Sequence, residues 1–587
     1  MARRWSGGGG RAVHVPVGHD VISAPGCALA FGRLGGRFGV GRQENLIGGD
    51  CRRRIVFTLA LLGFFFMAVS GRLLELAWMG DRVAAGSAGI HISPMAQRPD
   101  IVDRNGRVLA TDIMMASLFA DARQVQNRQE AAAQIVALFP DLDEATTLER
   151  LESGRAFVWL KRDLTPKQQY AVHNLGIPGL GFRRDHKRVY PNGRAAAHVL
   201  GLVNLDNRGT AGIERYIDTL GPPDERTGDK PVTLSIDLGV QYALTDELTR
   251  AMDEFSAKAA IGVVLDVRSG EVMAMSSLPD FDPNDPPDSS DTRLFNRAAL
   301  GVYEMGSTFK AFTIAAALDS GRVTLAKQYD ARQPIKIARF TIDDYHAERR
   351  WLTVPEIFMY SSNIGSAKMA LDIGTEIHHA FIQRVGLLDR VDIELPESGT
   401  PLAPSPWREI STMTIAYGHG LSVTPLQMVA AGAMLVNGGY AVKPTFIARK
   451  GDVPLGERVI SDDTSRAMRA LMRLVVEKGT GSRADVDGYP VIGKTGTAEK
   501  AKGGSYARRS LLTSFLSAFP ANDPRFMMLV LLDEPQGTKE TYGFATAGWN
   551  AAPVTARVIR RIAPILGVQP IREWEIPVRE AKLISFE

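Results

Sequence analysis

The chain has 587 residues with 45% hydrophobic and 23% charged positions, an ordinary globular composition with length for two to four domains and large cores. Its formal net charge is +4, yet the first 54 residues hold nine arginines against Asp20, Glu44 and Asp50, a local charge of +6 that leaves −2 for the rest. Basicity confined to one tail excludes a nucleic-acid-binding face, and with Cys27 and Cys51 both in that tail the bulk has no disulfide framework, thiolate metal site or catalytic thiol.

Residues 1–54 are rich in Gly and Arg with no hydrophobic period, which predicts a disordered cytoplasmic tail. After Arg52-Arg53-Arg54 comes IVFTLALLGFFFMAVSG, from Ile55 to Gly71, and RLLELAWMG extends it to residue 79. A helix needs about 20 mostly apolar residues to cross a bilayer. Three readings compete: a buried core helix, a signal peptide cleaved near Ala68-Val69-Ser70, and an uncleaved anchor. The leader is too long for an ordinary signal n-region, and the arginine flank argues against a soluble core. The expectation is therefore a single-pass transmembrane helix over 55–79, with the N-terminus in the cytoplasm and the bulk outside the membrane.

From about 80 to 225, short apolar runs alternate with turn dipeptides and one helical stretch around Glu130–Leu138, predicting an irregular α+β module. After Asp237 the elements become regular. LGVQYALTDELTRAMDEF has the period of an amphipathic helix, and AIGVVLDVRSGEVMAMSSLP reads as a hairpin around Arg268-Ser269-Gly270. STFKAFTIAAALDSG is a helix with Gly321 as its stop, while PVIGKTGTAE, TSFLSAFPA and RFMMLVLLDEP are three strands before a closing helix, VTARVIRRIAPIL. Strands at both ends of a helical middle predict one sheet covered by helices, an α/β or α+β layered domain.

Chemistry enters at GVYEMGSTFK. Residues three apart share a helix face, so the Ser307 hydroxyl and the Lys310 amine are expected to meet. A desolvated lysine loses its proton near neutral pH and serves as base to such a hydroxyl. This is the one Ser-x-x-Lys in the chain, and Ser361-Ser362-Asn363 and Lys494-Thr495-Gly496-Thr497 follow it in order. Those three elements mark serine acyl-transferases of the penicillin-recognising kind. Ser361 is expected to relay a proton to a leaving nitrogen, and Asn363 to hold a substrate amide. The N–H groups of Ser307 and Thr497 would bind the developing oxyanion. Gly496, lacking Cβ, would admit a substrate strand, with Lys494, Thr495 and Thr497 on a terminal carboxylate. Taken singly, SSN also reads as a helix N-cap and KTGT as a strand end, and His346 and His419 are the other base candidates nearby. Ten scattered histidines with no His-x-x-x-His pair predict no metal site, and no cofactor is expected.

With this set in place, the chain resembles the class B penicillin-binding proteins, the monofunctional peptidoglycan D,D-transpeptidases, over nearly its whole length. RPDIVDRNGRVLA (98–110), RVYPNGRAAAHVLGLVN (188–204) and GTAGIERYID (209–218) resemble motifs of that family's pedestal. The resemblance implies a central antiparallel sheet covered by helices and a dimerisation-type pedestal over 80–225. It also implies a transpeptidase domain over 226–575 and a C-terminal tail over 576–587. It implies stem peptides ending in D-Ala-D-Ala as substrate, β-lactams as inhibitors, and a membrane-bound glycosyltransferase and other division proteins as partners. SSN followed by IGSAKMALDIG is most similar to the septal synthase, whereas the elongation enzyme usually carries Asp in the third place of that motif. Met305 stands where the family commonly has Pro, and Pro99 where Gly is usual. A β-lactamase or D,D-carboxypeptidase, and a non-enzymatic sensor, share the scaffold. No carboxylate stands at a spacing from Ser361-Ser362-Asn363 that would repeat the water-activating glutamate of class A β-lactamases.

Overall fold

The computed structural model describes residues 48–83, 97–221, 230–337, 340–451, 453–502 and 505–571. The expected tail up to residue 47 and the C-terminal tail 576–587 lie outside the described residues. The chain divides into two compact units, Met1–His91 and Ile92–Glu587.

In the first unit one helix, α1 (Gly48–Val83), contains the whole apolar run from Ile55 to Gly71. Among its described side chains, Phe57, Phe64, Phe65, Phe66 and Met67 are all more than 60% exposed. Among the described residues no helix is long and apolar enough to cross a membrane.

The second unit holds two five-stranded sheets. The smaller sheet is built from β1 (Ile101–Val102), β2 (Val108–Ala120), β3 (Val158–Leu164), β4 (Leu180–Val189) and β5 (Val232–Thr233). Its long strand β2 pairs antiparallel with both β3 and β4. Helices α2 (Arg128–Leu138), α3 (Glu144–Glu152) and α4 (Pro166–His173) bury Ala131, Ile135, Leu151 and Val172 against Leu118, Leu160 and Leu164. β1 pairs parallel with β5, so the small sheet draws in residues past position 225, where the sequence suggested a boundary.

At the β2–β4 pair of the small sheet the quoted pedestal motifs converge, together with the short helices α5 (Ala197–Leu200) and α6 (Gly212–Thr219). Arg98 donates to Glu214 Oε2 at 2.9 Å and Asp218 Oδ1 at 2.6 Å, and Arg188 donates to Glu214 Oε1 at 2.7 Å and Asp112 Oδ1 at 3.1 Å. Arg98, Arg188, Asp112 and Glu214 are all buried. Burial opposes charge on Arg188, but Glu214 and Asp112 more than offset it and the guanidinium pKa is raised.

The larger sheet runs β12-β13-β14-β6-β7, antiparallel throughout. β6 (Ala259–Asp266) and β7 (Val272–Leu278) form the expected hairpin. Four short strands, β8 (Gln328–Asp330), β9 (Ile335–Ile337), β10 (Phe340–Ile342) and β11 (Trp351–Thr353), pair as two ribbons outside the sheet. β12 (Ile492–Lys502), β13 (Ser505–Phe519) and β14 (Phe526–Asp533) complete it, leaving β12 at an edge. α7 (Leu238–Glu254), capped by Asp237, and α15 (Ala551–Ile565) cover one face, packing Val240, Leu244 and Val554 on Val264 and Met528. The other face carries a helical layer: α8 (Lys310–Asp319), α9 (Val354–Met359), α10 (Asn363–Ile373), α11 (Thr375–Arg384), α12 (Glu409–Ile415), α13 (Pro425–Val436) and α14 (Asp462–Glu477). β6 and β14 are apolar along their length because both faces are covered, so neither shows the alternation of a half-exposed strand.

Candidate active site

The nucleophile turn is a 3₁₀ segment, Gly306–Phe309, running into α8. With three residues per turn, positions i and i+3 eclipse, and Lys310 Nζ lies 2.7 Å from Ser307 Oγ. Gly306 has φ of +55°, and a Cβ there would stand 2.6 Å from the carbonyl oxygen of Thr497, so the turn closes on β12 only with glycine. Met305, where proline was the family's usual choice, is buried with φ of −83°, close to the angle proline imposes, and its carbonyl accepts from the Thr308 hydroxyl at 2.8 Å.

The second element is the bend before α10. Ser362 is the N-cap, accepting from Gly365 N–H, while Ser361 adopts φ of +62° and turns its hydroxyl inward. Ser362 thus takes the N-cap place, and Ser361 the place facing the amines. Ser361 Oγ lies 3.2 Å from Lys310 Nζ and 3.0 Å from Lys494 Nζ, bridging the two amines. Asn363 Oδ1 lies 2.7 Å from Lys310 Nζ, and its Nδ2 donates to the carbonyl of Asp343 at 2.8 Å. In this arrangement the Asn363 amide orients the lysine, and its Nδ2 keeps a second hydrogen beyond the one given to Asp343.

The third element is the edge strand. Lys494, Thr495, Gly496 and Thr497 pair with Leu516, Phe515, Ser514 and Thr513. Lys494 is fully buried, and its Nζ reaches Ser361 Oγ and the Thr495 carbonyl at 3.0 Å, so its ammonium faces the bend rather than a carboxylate in the cleft. Thr495 Oγ1 shares a hydrogen bond with Thr480 Oγ1 at 2.6 Å, and Thr497 Oγ1 accepts from Ala547 N–H at 3.2 Å, which leaves the Thr497 hydroxyl hydrogen to donate. The reason for Gly496 differs from expectation. A Cβ there would meet the Met305 carbonyl at 2.6 Å and the Thr308 methyl at 2.8 Å, so the missing side chain makes room for the nucleophile turn.

Electrostatics separate the two lysines from ordinary surface amines. Burial pushes Lys310 down to about 7, with Asp344 pulling the other way. Lys494 is driven well below the usual range, first by burial and then by Lys310. At neutral pH the pair therefore holds fewer than two protons, and a hydroxyl beside a neutral amine has a base within hydrogen-bond reach. Of the other base candidates, His419 Nδ1 lies 3.2 Å from Glu304 Oε2 and His346 packs on Tyr345. Asp344 is the neighbour that sequence reasoning missed. It stands 18 residues before Ser362, yet its Oδ2 accepts from the Ser362 hydroxyl at 2.7 Å. Among the described residues no group of three or more His, Cys, Asp or Glu is arranged to hold a metal ion.

The chain matches the family model described as the penicillin binding protein transpeptidase domain over residues 260–559, and the penicillin-binding protein dimerisation domain over 93–219. It is 40% identical over 534 residues to the probable peptidoglycan D,D-transpeptidase FtsI of Caulobacter vibrioides, covering 89% of this chain and 90% of the relative. Identity to the peptidoglycan D,D-transpeptidase FtsI of Escherichia coli K12 is 29% over 504 residues, covering 80% and 84%. The fold is that of penicillin-binding protein 3 of Mycobacterium tuberculosis, solved with aztreonam, at a TM-score of 0.63 and 24% identity, covering 81% of this chain and 97% of that one. The chain belongs to the penicillin-binding protein transpeptidases of class B.

Proposed function

We infer that the protein is a serine D,D-transpeptidase that cross-links peptidoglycan stem peptides for the division septum. The observation that carries this reading is the buried contact of Lys310 Nζ with Ser307 Oγ at 2.7 Å, with Ser361 bridging to Lys494. Ser307 Oγ attacks the carbonyl of the penultimate D-Ala and its proton passes to neutral Lys310. The N–H groups of Ser307 and Thr497 hold the negative charge on the carbonyl oxygen. The C–N bond then breaks, the leaving amine takes a proton through Ser361, and D-Ala departs. An amine of a second stem peptide attacks the Ser307 ester and gives up its proton by the reverse route, forming the cross-link and restoring the serine. Thr495 and Thr497 take the donor's terminal carboxylate, and Lys494 sets the potential around Ser361.

The septal assignment rests on the 40% identity to a relative named FtsI. A β-lactam, which mimics the D-Ala-D-Ala end, acylates Ser307 as aztreonam occupies the related solved structure. Hydrolysis is disfavoured because Asp344, the carboxylate at the bend, spends both oxygens on the α10 N-terminus. The pedestal over 80–225 carries the transpeptidase domain over 226–575. We propose α1 as the single-pass anchor in the cytoplasmic membrane: its described part alone falls short of a spanning helix, and the reading is supported by its exposed phenylalanines and by the preceding arginines, which suit a bilayer better than water. Glycosyltransferase and division proteins are then met in that membrane. The test supplies a donor ending in D-Ala-D-Ala with and without an amine acceptor. Release of D-Ala with formation of the cross-linked amide supports the transpeptidase. Release with hydrolysis only, at any acceptor concentration, would reassign it as a carboxypeptidase.

A further inference from the structure

The bend that presents Ser361 and Asn363 to Lys310 is not stable by local chemistry. Ser361 sits at φ of +62°, where a side chain other than glycine is disfavoured, and such a conformation persists only when its surroundings hold it. The following helix α10 begins at Asn363, and its first N–H groups have no partner within the helix. Ser362 satisfies one of them, on Gly365, at 3.0 Å. The other two are taken from outside: Asp344 Oδ1 accepts from Asn363 N–H at 2.5 Å and Ile364 N–H at 3.0 Å, and Oδ2 accepts from the Ser362 hydroxyl. The same loop supplies the Asp343 carbonyl, which holds Asn363 Nδ2 at 2.8 Å while Asn363 Oδ1 faces Lys310. One carboxylate thus closes the cap, and a negative charge at a helix N-terminus is favoured by the helix dipole.

We propose that Asp344 is a positioning residue of the acyl-transfer reaction: its carboxylate locks the Ser361–Asn363 bend, and through it sets the place of the Lys310 amine beside Ser307. By hydrogen bonds Asp344 reaches the reacting atoms only through that bend. The groups facing the Lys310 amine are Ser307 from its own turn, Ser361 and Asn363 from the bend and Lys494 across Ser361, with Asp344 the carboxylate that acts on it by charge. Its loss has two separable consequences. The bend loosens when the acceptors are removed, and the lysine sheds its proton at lower pH when the charge is removed.

The proposal rests on the transpeptidase reading, and two measurements keep the two apart. The first is the second-order rate of acylation by benzylpenicillin against pH for the full chain, Asp344→Asn and Asp344→Ala. Asp344→Asn retains an acceptor for the two N–H groups, and is expected to lose less than tenfold while its acid limb moves to lower pH. Asp344→Ala is expected to lose on the order of a hundredfold, the scale of one misplaced catalytic group. The second is amide hydrogen exchange at Ile364 and Gly365, which reads the cap without any chemistry: it should accelerate in Asp344→Ala and stay near the parent rate in Asp344→Asn. Parent-like acylation rate and acid limb in both variants would overturn the positioning role, as would unchanged exchange in Asp344→Ala. A parent chain that never acylates, with exchange behaving as expected, would instead remove the transpeptidase reading and leave the cap in place.

Discussion

Two buried polar clusters lie in the second unit, and they are built on opposite rules. At the small sheet, Arg98 and Arg188 face Asp112, Glu214 and Asp218, so each buried cation meets carboxylates at 2.6–3.1 Å. At the active site, Lys310 and Lys494 converge on one serine hydroxyl with no carboxylate bonded to either amine among their hydrogen bonds. Arginine does not deprotonate in proteins, so its burial requires compensation. Lysine has another way out, and burial without compensation drives it to the neutral form that a base must have. The contrast teaches that a buried cation reads as scaffold or as chemistry according to whether its charge is answered.

The comparison breaks most sharply at Lys310. Lys310→Arg keeps a positive charge but supplies no neutral amine, and acylation by penicillin should fall by about 10²–10⁴-fold, the range of a lost general base; stopped-flow acylation rates check this. At the other cluster, Glu214→Ala leaves Arg98 and Arg188 both short of a partner, and unfolding in urea should show a loss of about 3–5 kcal/mol, while the folded fraction still acylates. The pH dependence is smaller in scale. The acylation rate of the parent chain should fall about tenfold for each pH unit well below 7, as Lys310 takes up its proton. The stability sign follows from the same depression. Between about 7 and 10.5 the unfolded chain holds protons that folded Lys310 and Lys494 have lost, so stability rises with pH across that window, each lysine contributing no more than about 1.4 kcal/mol per unit. Lys310→Met should reduce that slope, and a slope equal to the parent's would mean that Lys310 does not contribute to it.

Sequence reasoning named the side chains that the structure brings together, Ser307, Lys310, Ser361, Asn363 and Lys494, because they belong to short motifs whose spacing encodes local geometry. It reached the hairpin β6–β7 and the closing strands through apolar runs and turn residues. It missed Asp344, because a contact spanning 18 residues depends on how the loop after β10 folds back, and no local period records that. It did not foresee what packs against Gly496, for a related reason. The sequence shows that a Cβ is absent, whereas the atoms filling its place, the Met305 carbonyl and the Thr308 methyl, belong to a segment almost two hundred residues away. The pedestal motifs were legible as motifs, but their convergence on Glu214 was not, since Arg98 and Arg188 reach it from segments ninety residues apart in the chain.

The central claim is that Ser307 carries the acyl group and that the ester outlives acylation, since Asp344, the carboxylate at the bend, is committed to the α10 N-terminus. Intact-protein mass spectrometry over hours after stoichiometric penicillin tests this most directly. The chain should gain the mass of one penicilloyl group, located on Ser307 by peptide mapping, and keep it, while Ser307→Ala gains none. A rapid return to the unmodified mass with turnover of antibiotic, or an adduct that persists in Ser307→Ala, would contradict it.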